Sequence, residues 1–186
     1  MDQCNQLAAT LVARLRVLGL YITTVESCTG GGLVNCITNV SGSSEVLTGS
    51  RVTYSNEEKI KLGVPRQVIE EFTVYSTETA VAMAQAGMRA AIRADIGLGI
   101  TGSLTRADPN NPNSKIGNVY IAVVVRDQIC RETLCLGAGA SERWEAKCEV
   151  IAHALQMTLD LLDAMDGSFF LKRLKQKKGS CHYVCN

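Results

Sequence analysis

Histidine is almost missing from this chain. Of 186 residues only His153 and His182 are histidine. Histidine is the usual base for a serine nucleophile. His153 lies among Glu149, Gln156 and Asp160 on the polar face of a helical pattern, and His182 lies in the C-terminal tail. Neither suits a Ser-His-Asp triad, so that triad is not expected. No apolar run is long enough to span a bilayer. Polar residues interrupt residues 1–20 throughout, so no secretory signal is read there. No Walker lysine follows the triplet Gly30-Gly31-Gly32, which excludes a P-loop. Carboxylates are scattered, with no metal-binding cluster. Cys181-His182 with Cys185 resembles half a zinc site, but no second pair has suitable spacing. The chemistry is therefore read as free of metal and cofactor.

Acidic residues are missing from the C-terminal tail. After Asp166 the chain holds Lys172, Arg173, Lys175, Lys177 and Lys178 and no acid. The whole chain carries +1, but outside that run 14 basic residues face 18 acidic ones, a balance near −4. The body is not an evident nucleic-acid binder. Eight cysteines would suggest disulfides only in a secreted chain. Most fall inside helix or strand patterns, as small buried hydrophobes do, so a reducing, cytoplasmic setting is expected.

The length suits one α/β domain with a sizeable core. Leu7, Ala8, Leu11, Val12, Leu15 and Leu18 share a helical face that Gly19 ends. Residues 20–25 form a β-branched and aromatic strand run, and Leu33, Val34 and Ile37 open a helix near Gly30. Residues 46–54 read as a strand, with Gly49 a possible bulge. Ser55 and Glu58 form a capping box for a short helix to Gly63, and Pro65 suits the first turn of another. Ser76 caps a long helix. Residues 96–101 are a buried strand, and 102–117 a polar loop long enough to suspect of function. Residues 118–125 and 129–136 form a hairpin. Ser141 caps a last helix whose apolar face carries Trp144, Cys148, Ile151, Leu155, Leu159 and Leu162, and which Gly167 closes. The expected fold is a three-layer α/β/α single domain with a mixed, mostly parallel sheet. It occupies residues 1–166, and a basic tail follows at 167–186.

Thr24-Val25-Glu26-Ser27-Cys28-Thr29-Gly30-Gly31-Gly32 places Ser27 where a strand ends and a helix begins. Ligands bind at the carboxyl ends of strands in α/β folds. Free N–H groups near Gly30 and Gly31 would suit an oxyanion, and the glycines would let substrate approach the backbone. A plain capped turn has the same pattern. Without histidine, a Ser–Lys pair remains. Lys59 follows Tyr54 by five residues, past the end of a strand able to lie beside that of Ser27. In a desolvated cleft it could accept the serine proton, with Tyr54 between them. A solvated Lys59 is the alternative. Cys28 is either a thiolate nucleophile at a helix start or a packing residue. Arg143 and Lys147, on successive helical turns, could meet a phosphate.

These motifs resemble the CinA C-terminal domain family. Residues 24–31 are similar to its T-x-E-S-C-T-G-G signature. Val40-Ser41-Gly42-Ser43-Ser44 resembles its P-G-S-S loop, and Val52-Thr53-Tyr54-Ser55-Asn56-Glu57-Glu58-Lys59 its x-T-Y-S-N-E-x-K stretch. Leu62-Gly63-Val64 and Val74-Tyr75-Ser76 match in order, and the resemblance covers about residues 4–164. It implies a homodimer and a nicotinamide-nucleotide amidohydrolase, which converts nicotinamide mononucleotide to nicotinic acid mononucleotide and ammonia. It puts the nucleophile on Ser27, the base on Lys59 and the tyrosine on Tyr54. Substrate would meet Glu26, Gly30, Gly31, Ser43, Ser44, Thr101, Gly102, Ser103, Arg106 and Arg143.

The resembling amidases have G-I-A-G-P-G-G-G where this chain reads Gly99-Ile100-Thr101-Gly102-Ser103-Leu104-Thr105-Arg106. Arg106 could replace lost backbone N–H groups as a phosphate partner, or the substrate could differ. Two rivals follow: a non-catalytic nucleotide- or partner-binding relative, and an amidase for another small amide. The basic tail is either a solvated terminus or a tether to an anionic membrane or nucleic acid.

Overall fold

The computed structural model describes the backbone of residues 2–126, 128–137 and 142–178, with side chains placed for 3–126, 128–137 and 142–165. In chain order the elements are α1 (Asp2–Leu18), β1 (Ile22–Glu26), α2 (Gly32–Thr38), a short 3-10 turn (Ser43–Glu45), β2 (Leu47–Val52), α3 (Asn56–Leu62), α4 (Arg66–Phe72), α5 (Thr77–Ala90), β3 (Ile96–Gly102), β4 (Asn118–Val125), β5 (Gln128–Cys135) and α6 (Arg143–Lys178). The strands form one sheet in the order β2-β1-β3-β4-β5. β1 pairs parallel with β2 and β3, while β3–β4 and β4–β5 are antiparallel. The sheet is mixed and mostly parallel, as expected: β1, β2, β3 and β5 run one way and β4 alone runs the other. A polar loop, with no crossover helix, joins β3 to β4, so β4 must return antiparallel.

The strand period of two sorts the residues to the two faces. Ile96, Leu98 and Ile100 of β3 point to the larger core, where Leu11 and Leu15 of α1, Leu33 of α2 and Ile151 and Leu155 of α6 close over the sheet. Each such side chain is worth about 1.5–3 kcal/mol when fully buried. Gly97 and Gly99 point the other way, toward α5. A Cβ at Gly99 would lie 2.1 Å from the Ala80 carbonyl oxygen, so only glycine lets α5 rest on the strand. Val25, Val64, Met83 and Ala86 fill the smaller core beneath α5. The architecture is three-layer α/β/α.

Local signals hold at most boundaries. Ser55 and Ser76 each accept an N–H three residues on, from Glu58 and Thr79, and such caps are worth about 1 kcal/mol. The β1–β2 register shifts between Ile22 and Thr23, which pair with Leu47 and Gly49, so the bulge is real.

Three expectations change. Trp144 is 52% exposed and leaves the apolar face, because it sits on the first turn of α6, beyond the edge of the core. Pro65 precedes α4 as its N-cap instead of entering the first turn. Gly167 does not close α6, which runs on to Lys178. An interior glycine costs only about 1 kcal/mol and does not by itself stop a helix. The cap expected of Ser141, and Cys181, His182 and Cys185 of the tail, lie outside the described residues. Among the described residues no helix is long and apolar enough to cross a membrane.

Candidate active site

β1 ends at Glu26 with its side chain on the α2 face. That carboxylate is 0% exposed and accepts N–H groups from Gly31 at 3.0 Å, Leu33 at 3.1 Å and Val34 at 2.9 Å. It neutralises orphan donors at the start of α2 and meets the positive end of the helix dipole. Glu26 is thus spent on the fold and does not line the cleft at the strand ends. The same bonds overturn the expected oxyanion site. The Gly31 N–H is held by Glu26 and the Gly30 N–H by the Ser27 carbonyl at 3.0 Å. The glycines serve packing instead. Gly31 takes a left-handed φ of 92° to start α2, and a Cβ at Gly32 would stand 2.9 Å from Ile151. The amino group of Lys147 lies over Gly30 rather than in the cleft: a Cβ there would be 3.2 Å from it.

Strand alternation sends Ser27 to the opposite side from Glu26, toward α3. There Lys59 donates from Nζ to Ser27 Oγ at 3.1 Å and to the Thr53 carbonyl at 2.8 Å. The Ser55 cap fixes where α3 starts, and Lys59 falls one turn later on its inner side. Lys59 is 2% exposed, among the largest side chains so enclosed. Burial, against weaker pulls from Cys28 and Glu57, lowers its pKa to about 8. A neutral amine is therefore within reach near physiological pH, at hydrogen-bond distance from a hydroxyl. Cys28 is the opposite case. Burial pushes its thiol up to about 12, which disfavours the thiolate that a nucleophile needs.

The carboxyl ends of β1, β2 and β3 open into a cleft of about 530 Å³. Ser27, Cys28, Tyr54, Lys59, Thr101, Gly102, Ser103, Arg106 and Arg143 line it. The structure thus gathers residues of the expected site from four separate stretches. Tyr54 does not stand between Ser27 and Lys59, because the lysine reaches the serine directly. The tyrosine is 66% exposed and its hydroxyl accepts from Arg143 at 3.3 Å. Arg143 also donates to Thr105 Oγ1 at 3.4 Å, so α6 reaches across to the 103–117 loop. Thr101 is buried and donates to the Val74 carbonyl at 2.9 Å.

Ser43 and Ser44 are not brought to the cleft. They precede β2 and so lie at the amino end of the strands, beside the ion pair between Glu45 and Arg16 of the last turn of α1. A strand rises about 3.3 Å per residue, which puts them roughly 15 Å from Ser27 within one chain. Sequence reasoning also missed lining groups. Tyr75, Asp108 and Asn56 all face the cleft, and Ser114 stands behind it, paired with Ser103. Their signal was the long polar loop itself. Among the described residues no three His, Cys, Asp or Glu side chains gather as a metal site.

With this geometry in place, comparison with known proteins is decisive at the family level. The CinA C-terminal domain matches residues 4–162. The chain belongs to the CinA C-terminal domain family. It is 39% identical over 134 residues to a CinA-like protein of Kosmotoga olearia, covering 72% of this chain and 32% of that protein. It is 43% identical over 115 residues to a CinA-like protein of Citrifermentans bemidjiense, covering 61% and 27%. The chain thus spans about a third or less of these curated CinA relatives. Among solved structures, the competence/damage inducible protein CihA of Agrobacterium tumefaciens superposes with a TM-score of 0.78 at 29% identity, covering 87% of this chain and 96% of that one. The competence or damage-inducible protein of Enterobacter asburiae gives 0.77 at 28% identity, covering 86% and 98%. The α/β/α architecture is that of the CinA fold.

Proposed function

We propose that this CinA-family chain is a serine amidohydrolase that cleaves the carboxamide of a nucleotide-like substrate, nicotinamide mononucleotide first. One observation carries the reading. A fully enclosed lysine whose pKa is lowered to about 8 lies 3.1 Å from the hydroxyl of Ser27 at the floor of a polar cleft. Neutral Lys59 takes the Ser27 proton as Oγ attacks the carboxamide carbon. The tetrahedral adduct collapses as the Lys59 ammonium returns that proton to the departing nitrogen, releasing ammonia and leaving an ester on Ser27. Water then attacks the ester. Lys59 takes the water's proton and gives it back to Ser27, and the acid departs. Thr53, through its carbonyl, keeps the amine aimed in both halves.

With Gly30 and Gly31 engaged elsewhere, the oxyanion falls to the Cys28 and Thr29 N–H groups of the same turn, neither of which donates to a backbone carbonyl among the described residues. Arg106 and Arg143 supply the positive charge that a phosphate needs.

The test is incubation of the pure protein with nicotinamide mononucleotide. Ammonia and nicotinic acid mononucleotide should appear in equal amounts, and neither should appear with Ser27→Ala. The 103–117 loop favours a second reading, an amidase for a different small amide, because it carries side chains where the resembling amidases have glycines. Ammonia from another carboxamide, with none from the nucleotide, would select it. No ammonia from any carboxamide, with tight nucleotide binding, would leave a non-catalytic binder.

A further inference from the structure

Behind the loop wall of the cleft lies a polar lattice that the proposed mechanism does not use. The buried hydroxyls of Ser103 and Ser114 meet at 2.5 Å, and Ser114 Oγ accepts the Asp108 N–H at 2.8 Å. The Gly117 N–H donates to the Ser103 and Leu104 carbonyls at 2.9 Å, closing the base of the loop. The Asp108 backbone is pinned by these bonds. Its carboxylate accepts the Asn110 N–H at 2.9 Å through Oδ1 and the Tyr75 hydroxyl at 3.3 Å through Oδ2. Burial pushes the Tyr75 phenol up, so it stays a donor.

A carboxylate has about four lone-pair sites, and these bonds use two. Asp108 is the one carboxylate among the described residues lining the cleft; the other charged lining groups are Lys59, Arg106 and Arg143. A fixed carboxylate repels an anion and accepts hydroxyl donors. Arg106 is only two residues away on the same loop. A phosphate held at Arg106 and Arg143 would therefore carry its sugar past Asp108, and vicinal sugar hydroxyls offer the two donors that the free lone pairs can take. Carboxylates read ribose hydroxyls in dinucleotide folds by the same chemistry.

We propose that Asp108, oriented by Tyr75, accepts the vicinal hydroxyls of a ribose phosphate and makes this cleft selective for ribosyl over deoxyribosyl ligands. This rests on the nucleotide part of the reading above and needs no amide chemistry, so a binding measurement can fail while ammonia is released, or hold while it is not. Asp108 is a specificity residue and Tyr75 a positioning residue.

The experiment is calorimetric titration of the full chain with ribose 5-phosphate, 2-deoxyribose 5-phosphate and inorganic phosphate. The unaltered protein should favour ribose over deoxyribose phosphate by roughly tenfold or more, the usual size for a hydrogen bond to a charged group. Asp108→Asn should bring that ratio near one while holding or improving phosphate affinity, since it removes a negative charge. Tyr75→Phe should give an intermediate ratio. An unchanged ratio in Asp108→Asn overturns the assignment, as does an unaltered protein that binds no ribose 5-phosphate or shows no preference. Should Asp108→Asn lose phosphate as well, the loop has shifted and Tyr75→Phe decides: a reduced ratio supports the assignment and an unchanged one overturns it.

Discussion

The two walls of the cleft are built from different material. Ser27, Thr53 and Lys59 stand on strand ends and a capped helix, enclosed by the sheet and by α5. Asp108 and Arg106 stand on a 103–117 loop held by side-chain hydroxyls and by one arginine reaching over from α6. The first wall has almost no freedom, because its polar groups are buried and must stay paired. The second is exposed over much of its length and can change with little cost to the core. In the function proposed above, chemistry belongs to the rigid wall and choice of substrate to the adaptable one.

Breaking the rigid wall should cost most. Ser27→Ala should remove turnover by on the order of 10⁴-fold or more, measured as ammonia release, while calorimetry still finds ligand binding. Residual activity within tenfold of the unaltered protein would move the nucleophile elsewhere. Lys59→Met keeps the aliphatic stem and should lower kcat by ~10²–10⁴-fold. In the intact protein kcat should rise with pH along a limb near 8, as the amine loses its proton. The limb should vanish in Lys59→Met.

The same lysine sharpens the comparison through stability. Its folded pKa of about 8 lies below the usual 10.5. Between those values the unfolded chain binds more protons, so stability should rise with pH across that window, and the charged-state penalty is fully present below 8. Denaturant midpoints should show this rise in the intact protein and lose it in Lys59→Met. A flat profile in both would mean the amine is better solvated than its burial implies.

The loop wall should answer more mildly. Ser114→Ala removes the acceptor for the Asp108 N–H. It should raise KM by roughly tenfold and leave kcat within about threefold, the scale of one lost hydrogen bond. An equal fall in kcat would join the loop to the chemistry. Cys28→Ala should matter least, within about threefold, since its thiol is held protonated at about 12.

The contrast between walls also decides what could be read from sequence. Ser27 and Lys59 were legible because a strand end, a capping box and a shortage of histidine are local or compositional facts. Glu26, Gly30 and Gly31 misled because the same motif serves a helix start, and only coordinates show that Glu26 holds the first N–H groups of α2 and that the Gly30 N–H turns back to Ser27. Ser43 and Ser44 misled because motif order says nothing of which end of a strand a loop occupies. Asp108, Tyr75 and Ser114 were missed because their pairing joins residues 33 and 6 apart across a loop with no periodicity. The fold itself was legible from alternating periods.

The central claim is that Ser27, activated by Lys59, forms a covalent ester. Rapid acid quench of the protein turning over nicotinamide mononucleotide, followed by peptide mass analysis, tests it most directly. The acyl group should be found on Ser27, and it should accumulate less in Lys59→Met. An acyl group on Cys28, or ammonia released with no acylated peptide at any time point, would contradict the account.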